Sequence, residues 1–70
     1  MPSSVIRFFR YAPGSRELKV SFVSGRLYVY EHVPPEVATA FRNAQSKGAF
    51  FNREIRDHYA YRDITHEHAG

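Results

Sequence analysis

The 70-residue chain has no cysteine and no tryptophan, one methionine, four glycines and four prolines. Without cysteine, disulfide frameworks, thiolate metal centres and cysteine nucleophiles are excluded, so the fold must stand on packing alone. Long apolar runs are also missing. None approaches the roughly 20 residues that span a bilayer, and Met1-Pro2-Ser3-Ser4 lacks the basic start and apolar stretch of a signal peptide. A cytoplasmic location with no membrane segment is the expectation. Length is the other scarcity: a chain this short supports one core and leaves little room for a large cleft. There are no repeats, low-complexity tracts or internal linkers.

What the chain does have is aromatic bulk, five Tyr and six Phe, and a formal charge of +3. The excess lies entirely before residue 32: Arg7, Arg10, Arg16, Lys19 and Arg26 face only Glu17 and Glu31, whereas the remainder is balanced. Eight of the ten basic residues are Arg, whose planar fork binds phosphate bidentately and stacks on rings as Lys cannot. A nucleic-acid partner is therefore a live reading, although +3 is also an ordinary solubility charge.

Val5 to Tyr11 is rich in β-formers and stops at Ala12-Pro13-Gly14-Ser15, a turn cluster. Leu18, Val20 and Phe22 then alternate with polar residues at the period of a strand with one buried face. Arg26 to Glu31 runs back as a third strand, ended by Pro34-Pro35. Two hairpin registers compete. A two-residue turn on Ser24-Gly25 pairs Phe22 with Leu27 and sends Tyr28 and Tyr30 to the polar face. A three-residue loop with Gly25 in the left-handed region pairs Phe22 with Arg26 and turns both tyrosines to the core. The second is favoured, because aromatics of that size serve more often as core than as platform.

From Pro35 the period changes. Val37, Ala40, Phe41 and Ala44 fall at helical spacing and predict a helix from Pro35 to Gln45. Ser46 is placed to cap a second helix whose inner contacts are Phe51, Ile55 and Tyr59, with Gly48 weakening its first turn. Tyr59-Ala60-Tyr61-Arg62 reads as a short added strand or an extended tail packing on the sheet, and Thr65 to Gly70 as a frayed end.

Three constellations carry chemistry. Ser46, Lys47 and Gly48 at a helix start combine free amides, a hydroxyl and a cation, a candidate anion site whose plain alternative is ordinary N-capping. Asn52, Arg53 and Arg56, with Lys47 before them, place donors along the second helix, a phosphate-tracking face unless Glu54 and Asp57 neutralise it. Tyr28-Val29-Tyr30 and Tyr59-Ala60-Tyr61 set aromatics beside Arg, as in modules that stack unpaired bases, though core packing is the commoner use. Catalysis finds no support. Glu54 and His58, or His66 and His68, are pairs where a metal needs three or four ligands, so no metal, cofactor or catalytic residue is expected.

Taken in order, Ser3-Ser4-x-Ile6, Leu18-x-Val20-x-Phe22-x-x-Gly25, Tyr28-x-Tyr30, Val33-Pro34, Ala44-x-Ser46-x-Gly48, Phe51-Asn52, Ile55-Arg56 and Tyr59 resemble the KTSC domain. That short domain is named from its place at the C-terminal end of some lysyl-tRNA synthetases and also occurs as free-standing bacterial proteins. The resemblance covers roughly residues 3–62. It implies a fold more than a function: the synthetase context suggests RNA, and no catalytic residue carries over.

The expectation is thus one domain over residues 1–70, with its core in about 3–62 and a flexible tail from 63 to 70. It is an α+β fold, a three-stranded antiparallel meander with two C-terminal helices on one face and the other face open for binding. As an RNA-binding module it would use Arg10, Lys19 and Arg26 on or near the sheet and Lys47, Asn52, Arg53, Arg56 and Arg62 on phosphates, with Tyr28 and Tyr30 stacking. The rival is a protein-interaction or self-association module that uses the open sheet face or an edge strand.

Overall fold

The structure is a computed structural model that describes residues 5–68. Ser3 and Ser4 of the family resemblance, and Ala69 and Gly70 of the expected tail, lie outside that range. Four strands, β1 (Ile6–Ala12), β2 (Glu17–Phe22), β3 (Leu27–Tyr30) and β4 (Tyr61–Asp63), form one antiparallel sheet in chain order. The α+β class is as expected. The strand count is corrected from three to four, because Tyr61–Asp63 pairs along the free edge of β3.

The β1 sequence explains its irregularity. Ile6 and Phe9 both belong to the core, yet an odd spacing places them on opposite faces of a regular strand. A bulge at Arg7 resolves the conflict: Ile6 pairs with Phe22 and Phe8 with Ser21, so the extra residue returns Phe9 to the inner face opposite Val20. At the next hairpin, Ser21 pairs with Leu27 and Val20 with Tyr28. Phe22 and Arg26 close a three-residue loop, with Phe22 N–H donating to Arg26 O at 3.0 Å and Gly25 N–H to Phe22 O at 2.9 Å. Gly25 takes φ +99°. The three-residue register is therefore the one adopted, and Tyr28 and Tyr30 share the face of Leu18 and Val20.

Helix α1 (Pro35–Asn43) starts on Pro35, whose missing N–H would be unsatisfied there in any case. It stops two residues short of Gln45. Its buried residues are Ala38 and Phe41, so the expected stripe is corrected at one position: Ala40 is exposed and Ala38 buried. Phe41 stacks between Phe9, at a centroid distance of 4.1 Å, and Phe50, at 5.5 Å. Helix α2 (Lys47–Phe50) is capped by Ser46, whose Oγ accepts from Ala49 N–H at 3.2 Å, and it continues as a π-helical turn over Phe51–Ile55. Phe50, Phe51 and Ile55 are buried against Leu18, Val20, Tyr30 and Val33. A short helix α3 (Thr65–His68) follows β4. Among the described residues no helix is long and apolar enough to cross a membrane.

Candidate functional site

The helix layer does not reach the β4 side of the sheet. Phe51 of the π-turn packs edge-on to Phe22 and Tyr30, at 5.4 and 5.5 Å. Beyond it, Tyr28, Tyr30 and Tyr61 lie together: Tyr61 is 4.8 Å from Tyr28 and 5.3 Å from Tyr30. These five rings line a pocket of about 370 Å³ whose rim carries Arg26, Asn52, Arg56 and Asp57. Two cations and one carboxylate make that rim net positive.

The polar groups have distinct states. Tyr30 is only 3% exposed, and burial, followed by the neighbouring Tyr61 and Tyr28, pushes its phenol up to about 12. It stays a neutral donor at physiological pH. Its hydroxyl has no hydrogen-bond partner among the described residues, yet it is not sealed from solvent, since it opens on the pocket. Arg56 donates to Asn52 Oδ1 and Arg26 to Asp63 Oδ2, each at 3.4 Å, the long end of such contacts. Asp63 is further held by Thr65, whose hydroxyl donates to Oδ1 at 2.6 Å and whose N–H does so at 3.0 Å. Those two bonds, with Arg26 adding, keep its carboxyl below the usual range. Asp57 ends the π-turn at φ +67°, a region Asp tolerates better than most residues.

The sequence-named residues fall into three groups. Arg26, Tyr28, Tyr30, Asn52 and Arg56 converge on the pocket. Arg10 and Lys19 are paired on the opposite face of the sheet, near Phe8 and Leu27. Arg62 also lies on that face and is engaged, donating to Glu31 at 2.9 Å and to Glu17 at 3.1 Å. The third group is occupied locally. Arg53 bonds Glu54 at 2.9 Å and sits over the Phe50 ring, and Lys47 Nζ donates to Ala44 O at 2.6 Å. At the candidate anion site, Ser46 Oγ is taken by Ala49 N–H, while Lys47 bends back and Gly48 opens the helix. The sheet therefore separates the tyrosines from Arg10 and Lys19, which were expected to act with them. Tyr61, Phe51, Phe22 and Asp57 are pocket residues that the sequence reading did not assign. For Tyr61 the signal was the second Tyr-x-Tyr unit. Among the described residues no three His, Asp or Glu side chains gather as a metal site.

Phe22, Tyr28, Tyr30, Phe51, Asn52 and Arg56 line this pocket and also stand in the string of landmarks that carries the family resemblance. The KTSC domain family profile matches residues 2–59. The chain belongs to the KTSC domain family. An uncharacterized protein of Stutzerimonas stutzeri is 45% identical over 62 residues, covering 87% of either chain. The lysine-tRNA ligase of Nostoc punctiforme is 37% identical over 62 residues, which are 89% of this chain but 11% of the ligase. The crystal structure of a KTSC domain protein from Yersinia pestis superposes with a TM-score of 0.85 at 34% identity, covering 91% of this chain and 90% of that one. Relatives of this chain thus include a protein of similar length and a much longer enzyme of which the matched segment is a minor part.

Proposed function

We infer that this KTSC domain is a non-catalytic module that binds single-stranded RNA. The observation that carries the reading is the pocket: rings of Tyr28, Tyr30 and Tyr61 beside two exposed guanidiniums, Arg26 and Arg56, with Asn52 of the π-turn on its rim. Aromatic faces hold unpaired bases and Arg neutralises phosphate, whereas a duplex keeps its bases stacked and out of reach. Relatives that are lysine-tRNA ligases add support, since the domain there is attached to an enzyme named for a tRNA substrate. A non-catalytic role accords with a rim that offers one carboxylate and no nucleophile placed beside a base.

The protein-interaction reading rests on Phe8, which is 53% exposed on the opposite face. It is the weaker of the two, because Leu27 and Val29 on that face are only 4% and 5% exposed and leave little apolar surface to cover. Amide NMR titration with a short mixed-sequence single-stranded RNA tests the reading at low and at moderate salt. Salt-sensitive shifts are expected. Binding that does not weaken as salt rises, or no shift at near-millimolar RNA, overturns it.

A further inference from the structure

Resting on that RNA reading and deepening it, we propose that the pocket is a subsite for one unpaired nucleotide. The base lies on the exposed Tyr61 ring, its edge meets Tyr30 and Asn52, and its phosphate is held by Arg56 and Arg26.

Four observations on separate elements carry this. First, the Tyr30 hydroxyl belongs to a residue 97% removed from solvent, has no partner among the described residues and opens on the pocket. Because the hydroxyl is open to the pocket, water serves it in the free protein and a polar ligand atom entering the pocket takes that place. A neutral phenol both donates and accepts, so the ring nitrogens, carbonyls and amino groups at a base edge all complement it. Second, Tyr61 is 53% exposed while one side of its ring rests on Tyr28 and Tyr30. The remaining side is a free, flat platform backed by two further rings. Third, the bonds that hold Arg56 and Arg26 are both 3.4 Å long and made by exposed groups. A phosphate oxygen accepts charge-assisted bonds from guanidinium at roughly 2.7–2.9 Å and would displace them. Fourth, about 370 Å³ lies near the lower end of small-ligand sites, room for one nucleotide and not for a stacked run.

Alternative occupants fit less of this. An apolar peptide would leave Tyr30 unpaired and strip water from two guanidiniums. A bare anion would use the arginines and ignore the rings. A nucleotide satisfies ring, phenol and guanidinium together.

The test is an amide NMR titration of the whole protein with 5′-AMP and 5′-UMP, with ribose 5-phosphate as the base-free control and a single-stranded RNA octamer alongside. The mononucleotides should shift Ser24, Arg26, Tyr28, Asn52, Arg56 and Tyr61, and ribose 5-phosphate should do so far more weakly. Tyr61→Ala should weaken the octamer about ten-fold, the effect of losing one base-aromatic stack, while Tyr61→Phe keeps the platform and the affinity. Arg56→Gln, at an exposed position, provides a readout independent of the tyrosine variants. It should reduce the slope of log Kd against log salt by about 0.7, one phosphate contact on a single strand. If the octamer binds but its shifts fall on Arg10 and Lys19 and neither Tyr61→Ala nor Arg56→Gln alters affinity, the subsite is overturned and RNA binding stands. If ribose 5-phosphate acts as strongly as AMP, base recognition is overturned. If neither octamer nor mononucleotide shifts any amide, both readings fall.

Discussion

Gly25 decides which face of the sheet Tyr28 and Tyr30 occupy, and the cost of replacing it can be worked out. Its φ is +99°, and a Cβ built there meets nothing within 4 Å. Gly25→Ala therefore introduces no collision, and the penalty is the intrinsic one for an L-residue at positive φ, about 1–2 kcal/mol. Gly14, in the β1–β2 turn, is the matched control. Its added Cβ also meets open space and its φ is not in the positive region, so Gly14→Ala should be neutral or stabilising by roughly 0.4–1 kcal/mol through the unfolded chain. In a domain of this size each kcal/mol moves Tm by about 4–8 °C, so Gly25→Ala should melt some 4–16 °C below wild type and Gly14→Ala at or above it. Far-UV circular dichroism during thermal and urea unfolding reads both. Equal stabilities for the two variants would refute the reasoning, because a hairpin indifferent to Gly25 is not closed by the positive-φ loop that turns the tyrosines inward.

Four further outcomes follow from particular residues. Arg62→Gln cuts both ion pairs to Glu17 and Glu31, which are partly exposed, so the loss should be about 0.5–1.5 kcal/mol and shrink when unfolding is repeated at high salt. Phe41→Leu removes the stacks on Phe9 and Phe50 from a fully buried site and should cost about 1–3 kcal/mol by urea unfolding. Phe41→Ala, at about 3–5 kcal/mol, approaches the whole stability of a domain this small and should leave it largely unfolded when warmed. Tyr30 favours its protonated form on folding, so its contribution is complete below pH 10, the ordinary value, and declines as pH rises to about 12. Absorbance at 295 nm should show an ionisation step near pH 12 that Tyr30→Phe deletes, and stability should fall between those two pH values.

The legible parts of the fold were those whose signal is local. Alternating Leu18, Val20 and Phe22, the prolines that bound α1 and the Ser46 cap each act within a few residues, and each element stands where its signal lies. Ala38 and Ala40 were interchangeable on the page because alanine carries too little surface to orient a helix, and Phe41 sets the rotation for both. The β4 strand had no pattern to read, since all three of its residues are exposed and its only instruction is the vacant edge of β3. The π-turn is likewise a product of packing. Fixing Phe50, Phe51 and Ile55 all inward within six residues asks for a wider turn than 3.6 residues, and the widening stacks Asn52 and Arg56 on the pocket side. Ion pairs across 31, 37 and 45 residues could not be read from local spacing at all.

The position of the pocket follows from the same mismatch of widths. Four strands about 4.8 Å apart span more than one helix, roughly 10 Å across with its side chains, can roof. Here α1 lies over β1 through Phe41 on Phe9, and the π-turn lies over β2 and β3 through Phe51 on Phe22 and Tyr30. Among the described residues no ring contact joins α1 or the π-turn to Tyr61 of β4, whose ring meets Tyr28 and Tyr30. Had the chain ended its sheet at β3, Tyr28 would sit at a bare margin. By adding Tyr61–Asp63, the chain extends the aromatic floor past its roof and fixes the extension with Glu31 N–H to Ala60 O at one end and Ile64 N–H to Leu27 O at the other. The family match stops at residue 59, just before that strand, so the outermost ring of the floor comes from a segment beyond the matched residues. A roofed sheet buries its aromatics as core. Here Tyr30 and Phe51 remain core, and Tyr61 at the sheet margin is the ring left exposed, with Arg26 and Arg56 on the rim beside it.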